Sequence, residues 1–198
     1  RSVEGTKAAN LAPSIGPDGT NGQVTIASPA ATHAATITDN DTATIAYSGS
    51  SSAVNEAAGT TALTLGLDIT GDGTGSQVLA RAVTVNVTIT GGTATNGGTD
   101  YTLPSTVTFA SGASNGATQV SNLAIVNDVL VEGAETATLG LEIATDGTDG
   151  AVSLGASSHT VTINDNDSAT VAYVAATGSV SEGAGTHSVG LVLNITSN

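Results

Sequence analysis

"VTVNVTIT", residues Val83 to Thr90, alternates apolar and polar side chains at every step. A period of two puts Val83, Val85, Val87 and Ile89 on one face and Thr or Asn on the other, which is a strand with one buried and one wet face. The same alternation runs through Leu63, Leu65, Leu67 and Ile69, and through Ala137, Leu139, Leu141 and Ile143. Shorter pieces follow it at Tyr101 with Leu103, Val107 with Phe109, Leu123 with Ile125, and Val161 with Ile163. Between them stand Asp72-Gly73, Asn96-Gly97, Asn115-Gly116 and Asp146-Gly147, dipeptides that favour positive φ in tight turns. No stretch keeps helical periodicity with caps. Short half-buried strands without helices predict an all-β fold, an immunoglobulin-like Greek-key β-sandwich built of antiparallel sheets.

Composition narrows the chemistry. Aromatics make up 2% of the 198 residues, so the core must be stacked from Val, Ile, Leu and Ala. There is no Cys, hence no disulfide to staple the fold. Three basic residues face 17 acids, a formal charge of −14. That excludes a phosphate-tracking nucleic-acid binder and makes an anionic membrane surface an unfavourable partner. No apolar run is long enough to insert into a bilayer as a helix. A divalent cation is the natural partner for such a charge. The chain does not begin with Met and carries no signal peptide, so it reads as a segment of something longer.

The acids are not scattered. "ITDND" at Ile37–Asp41 recurs as "INDND" at Ile163–Asp167, and Asp39 and Asp165 stand 126 positions apart. At that offset the 32 residues from Asp39 align with those from Asp165 without a gap: Tyr47 meets Tyr173, Glu56 meets Glu182, Gly59 meets Gly185. "VEGTKAANL" from Val3 resembles "VEGAETATL" from Val131, with Glu4 opposite Glu132 and a two-residue insertion before His33. The expected organisation is therefore tandem repeats: the end of one (1–41), one complete repeat (42–167) and the start of a third (168–198).

Within the complete repeat the acids gather at strand ends: Glu56, Asp100, Asp128, Glu132, Glu135, Asp165 and Asp167. Alternate strand ends of a Greek-key sandwich meet at one pole. Carboxylates crowded there repel one another, and Ca²⁺, with its 6–8 oxygen ligands at irregular angles, resolves the repulsion. Asn127 and Asn166 offer neutral oxygens. No Cys cluster or close His pair suits zinc. An acid at a strand end is ordinarily just solvated, and Asp18, Asp72, Asp146 and Asp149 read as turn residues. "DND" twice at the end of an apolar strand favours ligation.

In combination, "VNEAAGT", "VSEGAGT", "GGTATNGGTDYTLPSTVTFASG", "IVNDVLVEGAETATLGL" and "HTVTINDND" resemble the Calx-beta domain over the whole chain. That module occurs in sodium–calcium exchanger sensor regions and in bacterial surface proteins. The resemblance implies Ca²⁺ bound at one pole of the sandwich. It carries ligand roles onto Glu56, Asp100, Asn127, Asp128, Glu132, Glu135, Asp165, Asn166 and Asp167. The flanking repeats would contribute Asp39, Asp41 and Glu182. Asn127 and Asn166 stand where acids occur in the family, which lowers the charge of the site. Lys7 takes the place of Glu135 in the first partial repeat.

Thr42 and Ser168 follow "DND" with almost no linker, so calcium at the junction would fix neighbouring repeats. The expected role is a Ca²⁺-stiffened stalk, adhesin or filament segment at the cell surface or outside the cell, whose partners are calcium ions, neighbouring repeats and, in fibres, further chains. A calcium sensor and a glycan- or protein-binding adhesive domain are the alternatives. Enzymatic activity is not expected. Gly112-Ala-Ser114-Asn-Gly116 fits G-x-S-x-G but lies in a hairpin-like loop rather than a strand-to-helix elbow. His33 and His159, equivalent positions at a strand start, read as structural.

Overall fold

The computed structural model describes residues 2–17, 19, 21–27, 32–72 and 75–198. The first strands are β1 (Ser2–Val3), β2 (Lys7–Leu11) and β3 (His33–Ile37). Then come β4 (Thr42–Tyr47), β5 (Ser51–Asn55), β6 (Thr60–Thr70), β7 (Val78–Leu79), β8 (Val83–Gly92), β9 (Tyr101–Thr102) and β10 (Val107–Phe109). β11 (Thr118–Ile125), β12 (Glu135–Asp146), β13 (Val152–Leu154) and β14 (Ser158–Asn164) complete the central part, and β15 (Ser168–Tyr173) and β16 (Leu191–Thr196) end the chain. Single 3₁₀ turns at Glu56–Ala58 and Glu182–Ala184 are the helical elements of the described residues.

Two five-stranded sheets form the β-sandwich, ordered β10-β8-β12-β14-β5 and β13-β4-β6-β11-β9, and all ten strands lie within residues 42–164. The period-two faces close on each other: Leu63, Leu65, Leu67 and Ile69 from one sheet and Val83, Val85 and Val87 from the other are buried. Phe109, Tyr101 and Tyr47 are buried among them. The Tyr47 hydroxyl donates to the Gly140 carbonyl (3.3 Å), and burial pushes its pKa up to about 12. Ile89, the last residue of the alternating face, is exposed, beyond the edge of the core.

The expectation of antiparallel sheets fails at two edges. β5 pairs parallel with β14, and β4 pairs parallel with β13. The first strand of the unit is split: β4 lies in one sheet, the chain crosses at Ser48–Ser50, and β5 joins the other. β5 thereby forms an edge of its sheet, while β4 lies one strand in, covered at the edge by the three-residue β13.

Gly97 and Gly116 take positive φ as their turns require. The turn expected at Asp146-Gly147 lies instead at Asp149 and Gly150, which carry φ of 58° and 91°. Gly147 packs against Arg81 and Ala82, while the Asp146 carboxylate accepts from the amides of Thr148 and Gly150, both at 2.8 Å, and from the Thr148 hydroxyl. Gly73 and Asp18 lie outside the described residues.

Both flanking parts pair their strands in the register of the central unit. Lys7↔Ile37 and Leu11↔His33 match Glu135↔Ile163 and Leu139↔His159. Thr42↔Thr70 and Tyr47↔Leu65 match Ser168↔Thr196 and Tyr173↔Leu191. The flanking pairs differ in burial. Tyr173, Leu191, Leu193 and Ile195 are exposed where Tyr47, Leu65, Leu67 and Ile69 are buried.

Candidate cation site

The side-by-side ends of β5 and β14, where Asn55 faces Asn164, set one corner of the acidic pole. Glu56 follows β5 on a 3₁₀ turn whose Ala57 amide is capped by the Asn55 side chain (2.9 Å). Asp165 follows β14, and Glu135, opposite Ile163, opens β12. Asp100 precedes β9, and Asp128 follows β11 beside it, since Ile125 pairs with Tyr101. Gly92 ends β8, the strand before the Asp100 loop. At φ 117° it leaves β8 so close to β12 that a Cβ would lie 2.1 Å from the Thr136 carbonyl oxygen.

These ends enclose a cavity of about 10 Å³ walled by Glu56, Asp100, Asp128, Glu132, Glu135 and Asp165, with Val126, Gly133 and Ile163. That is room for one small particle, a water or a bare ion. Carboxylate oxygens of Asp100, Glu132 and Glu135 all lie within 4.8 Å of one another. Oxygens that share a Ca²⁺ at about 2.3–2.6 Å can be no farther apart than roughly that span.

Backbone amides hold part of the wall in place. The Asp128 amide donates to Glu56 Oε1 (2.5 Å), the Thr95 amide to Asp100 Oδ2 (2.5 Å) and the Leu130 amide to Asp128 Oδ1 (2.7 Å). Asp165 accepts from two, Glu132 at 2.6 Å and Asp167 at 2.7 Å. Those amides of Asp167 and Glu132 keep the Asp165 carboxyl below the usual range, so it stays ionised. Glu132 and Glu135 shift the other way. Desolvation and then the charges of Asp128, Asp100, Asp165 and Glu56 push Glu132 up. Desolvation, a hydrogen bond with Asp100 and the surrounding carboxylates push Glu135 up. The pole holds more negative charge than it can comfortably ionise, and its donors are all hard oxygens. Both features fit Ca²⁺.

Asn127, Asn166 and Asp167 stand beside the cavity rather than in its wall. The side-chain amides of Asn127 and Asn166 donate to the Asn198 carbonyl (3.2 and 2.9 Å), and the Asn198 amide donates to Asp167 Oδ1 (3.0 Å). Asn166 Oδ1 and Asp167 Oδ2 are buried without a hydrogen-bond partner. So is Oδ1 of Asp41, the counterpart of Asp167. Buried unpaired carboxylate oxygens at both "DND" sequences are costly unless a cation meets them.

The first "DND" repeats the geometry of the second. Asp39 accepts from the amides of Glu4 (2.7 Å) and Asp41 (3.2 Å), as Asp165 does from Glu132 and Asp167. It differs where the sequence differs: the Lys7 ammonium pairs with Glu4 and occupies the position of the Glu135 carboxylate with its own charge. Glu182 is exposed on its 3₁₀ turn, whereas its counterpart Glu56 is buried.

Other side chains have structural duties. His159 is buried, its Nδ1 2.7 Å from the Gly49 carbonyl and its Nε2 2.9 Å from Ser52 Oγ, with its ring 5.4 Å from that of Tyr47. In the G-x-S-x-G stretch, Asn115 Oδ1 accepts from the Ile69 amide (2.8 Å), tying the β10–β11 loop to β6. Gly133 is a wall residue that charge counting does not reveal; the recurrence of "VEG" was the signal for it.

Residues 38–167 match the Calx-beta domain family. Among curated proteins none matches at a significant level. Of solved structures, the apo-form Calx CBD1 domain is 20% identical over 63% of this chain and 98% of that chain, with a TM-score of 0.49. CBD12 from CALX1.2 is 20% identical over 62% of this chain and 44% of that chain, with a TM-score of 0.47, so the match spans less than half of its length. The Calx CBD2 domain is 16% identical over 62% and 86%, with a TM-score of 0.46.

Proposed function

The chain belongs to the Calx-beta domain family, a family of calcium-binding domains, and from that membership we propose that its acidic pole holds Ca²⁺ and thereby stiffens a stalk of tandem repeats. The observation that carries this is the convergence of Asp100, Glu132 and Glu135 oxygens within 4.8 Å around an ion-sized cavity. Asp100, Glu132 and Glu135 are the principal ligands; Glu56, Asp128 and Asp165 complete the wall. Asp41 and Asp167 offer further oxygens at the two junctions. Bound Ca²⁺ supplies the positive charge that lets all these carboxylates ionise together. Glu132 and Glu135 then tie the loop after β11 and the start of β12 to the Asp100 loop, bracing the end of the sandwich from which the next repeat begins.

The matching registers of the flanking strand pairs, and their exposed apolar faces, support a tandem arrangement of units 1–41, 42–167 and 168–198. The scarcity of Lys and Arg leaves few trypsin sites, which suits an extracellular or cell-surface fibre. A sensor would change shape near micromolar Ca²⁺; a stalk is saturated at millimolar Ca²⁺ without a regulated change.

Thermal unfolding of the 198-residue chain in EDTA, in Ca²⁺ and in Mg²⁺ tests the site. At 100 times Kd, binding adds about 2.7 kcal/mol, a rise of roughly 10 °C for a sandwich of this size. Equal melting in EDTA and millimolar Ca²⁺ would overturn the reading.

A further inference from the structure

We propose that Val131–Gly133 is a docking edge for the repeat that follows, received by that repeat's counterpart of β7. The contact is already present once in the chain. Val3-Glu4-Gly5 corresponds to Val131-Glu132-Gly133. Val3 is 0% exposed, although it is the one member of the core cluster that comes from outside residues 43–163 among the described residues. β1 lies parallel to β7, with Ser2 opposite Val78 and Val3 opposite Leu79, and the Ala80 amide donates to the Val3 carbonyl (3.1 Å). Gly5 faces Asp149 so closely that a Cβ there would sit 2.4 Å from the Asp149 Cβ.

The second copy has the matching sequence and, among the described residues, no strand paired with it. Val131 is 43% exposed, flanked by the exposed Val129 and Leu130, and a Cβ on Gly133 would meet nothing within 4 Å. Its backbone is nonetheless held as the first copy is, since Asp165 takes the Glu132 amide as Asp39 takes that of Glu4. One anchor of the docked edge is therefore in place before its partner arrives. The occupant is another copy of this fold joined after Asn198, because Asn198 corresponds to Asp72 and the counterpart of Val78 falls six positions further on. Donor edge and receiving strand are different patches of one unit, so the contact propagates head to tail along an array rather than closing on itself. Glu132 lies between the two docking residues and walls the cation cavity, so the site and the junction share one loop. This inference rests on the tandem-repeat reading above.

The test appends residues 73–167 after Asn198, which completes a second full unit from the chain's own sequence. The chain has no Cys, so Val3→Cys and Val131→Cys each create a unique thiol whose reaction rate with a water-soluble disulfide reagent reports exposure. In the 198-residue chain the thiol at 3 should react at least about tenfold more slowly than that at 131. In the extended chain the thiol at 131 should slow to match it. Equal rates at 3 and 131 in the shorter chain would refute the docking contact. So would an unslowed thiol at 131 in an extended chain whose calorimetry shows two sandwiches, and that result leaves the repeat reading intact. An added part that stays unfolded refutes the repeats and the docking together. Running each arm in Ca²⁺ and in EDTA separates failure of cation binding, seen as identical melting, from failure of docking.

Discussion

Asp165 reaches back 33 positions to accept the backbone amide of Glu132 at 2.6 Å, and its other oxygen takes the amide of Asp167 at 2.7 Å. Its carboxylate thus acts as a backbone clamp as well as a wall of the acidic cavity. Asp165→Ala should therefore lower the urea midpoint in EDTA as well as in Ca²⁺. A midpoint unchanged in EDTA would show that the clamp contributes nothing without an ion.

Glu132 and Glu135 use their carboxylates differently. Both are pushed up by burial and by neighbouring negative charge rather than held by amides. Glu132→Gln with Glu135→Gln should raise the melting temperature in EDTA by relieving that repulsion and abolish most of the rise on adding Ca²⁺. Calorimetry in both conditions reads the crossing directly. A variant that keeps the full Ca²⁺ rise would remove these two residues from the ligand set.

Asp146 gives a pH dependence independent of any cation. Desolvation raises its pKa, but hydrogen bonds from the Thr148 hydroxyl and the amides of Thr148 and Gly150 outweigh it, and the net shift is downward. A lowered folded pKa means a contribution fully present above the ordinary value of 3.8 and lost as pH falls through the folded value. Asp146→Ala leaves the buried Thr148 hydroxyl unpaired and should cost about 1–3 kcal/mol at pH 7. The gap between variant and parent should narrow in melts taken at successively lower pH below 3.8.

Gly91 and Gly92 are adjacent yet should respond differently to alanine. A Cβ at Gly91 meets nothing, whereas Gly92 combines φ 117° with a carbonyl oxygen 2.1 Å from its would-be Cβ. Gly92→Ala should cost about 1–3 kcal/mol or more and weaken Ca²⁺ binding by displacing the Asp100 loop. Gly91→Ala should leave both nearly unchanged. Chemical denaturation with a calcium titration on each variant decides it.

Phe109, fully buried, is the sole Phe in the chain. Phe109→Ala should cost about 3–5 kcal/mol in a core with so few large side chains. That exceeds the roughly 2.7 kcal/mol that Ca²⁺ supplies at 100 times Kd. Saturating Ca²⁺ should therefore restore only part of the lost stability in a thermal melt.

Period-two alternation determined the strands, because it specifies which side of a sheet each residue faces before any partner is known. The 126-residue offset between the two "DND" sequences likewise anticipated registers, since equivalent residues pair with equivalent partners in β4–β6 and β15–β16. The clustering of acids at strand ends pointed to one pole. Local pattern could not show that Asp100 and Glu135, 35 positions apart, would share a cavity wall, or that the side-chain nitrogens of Asn127 and Asn166 would both meet Asn198. Nor could it show that β4 and β5 split between sheets, or that Val3 is buried while Val131 is exposed. Alternation and composition are local properties of the chain. Which oxygens meet, and which identical sequence is covered, depends on segments far apart in sequence that only tertiary packing brings together.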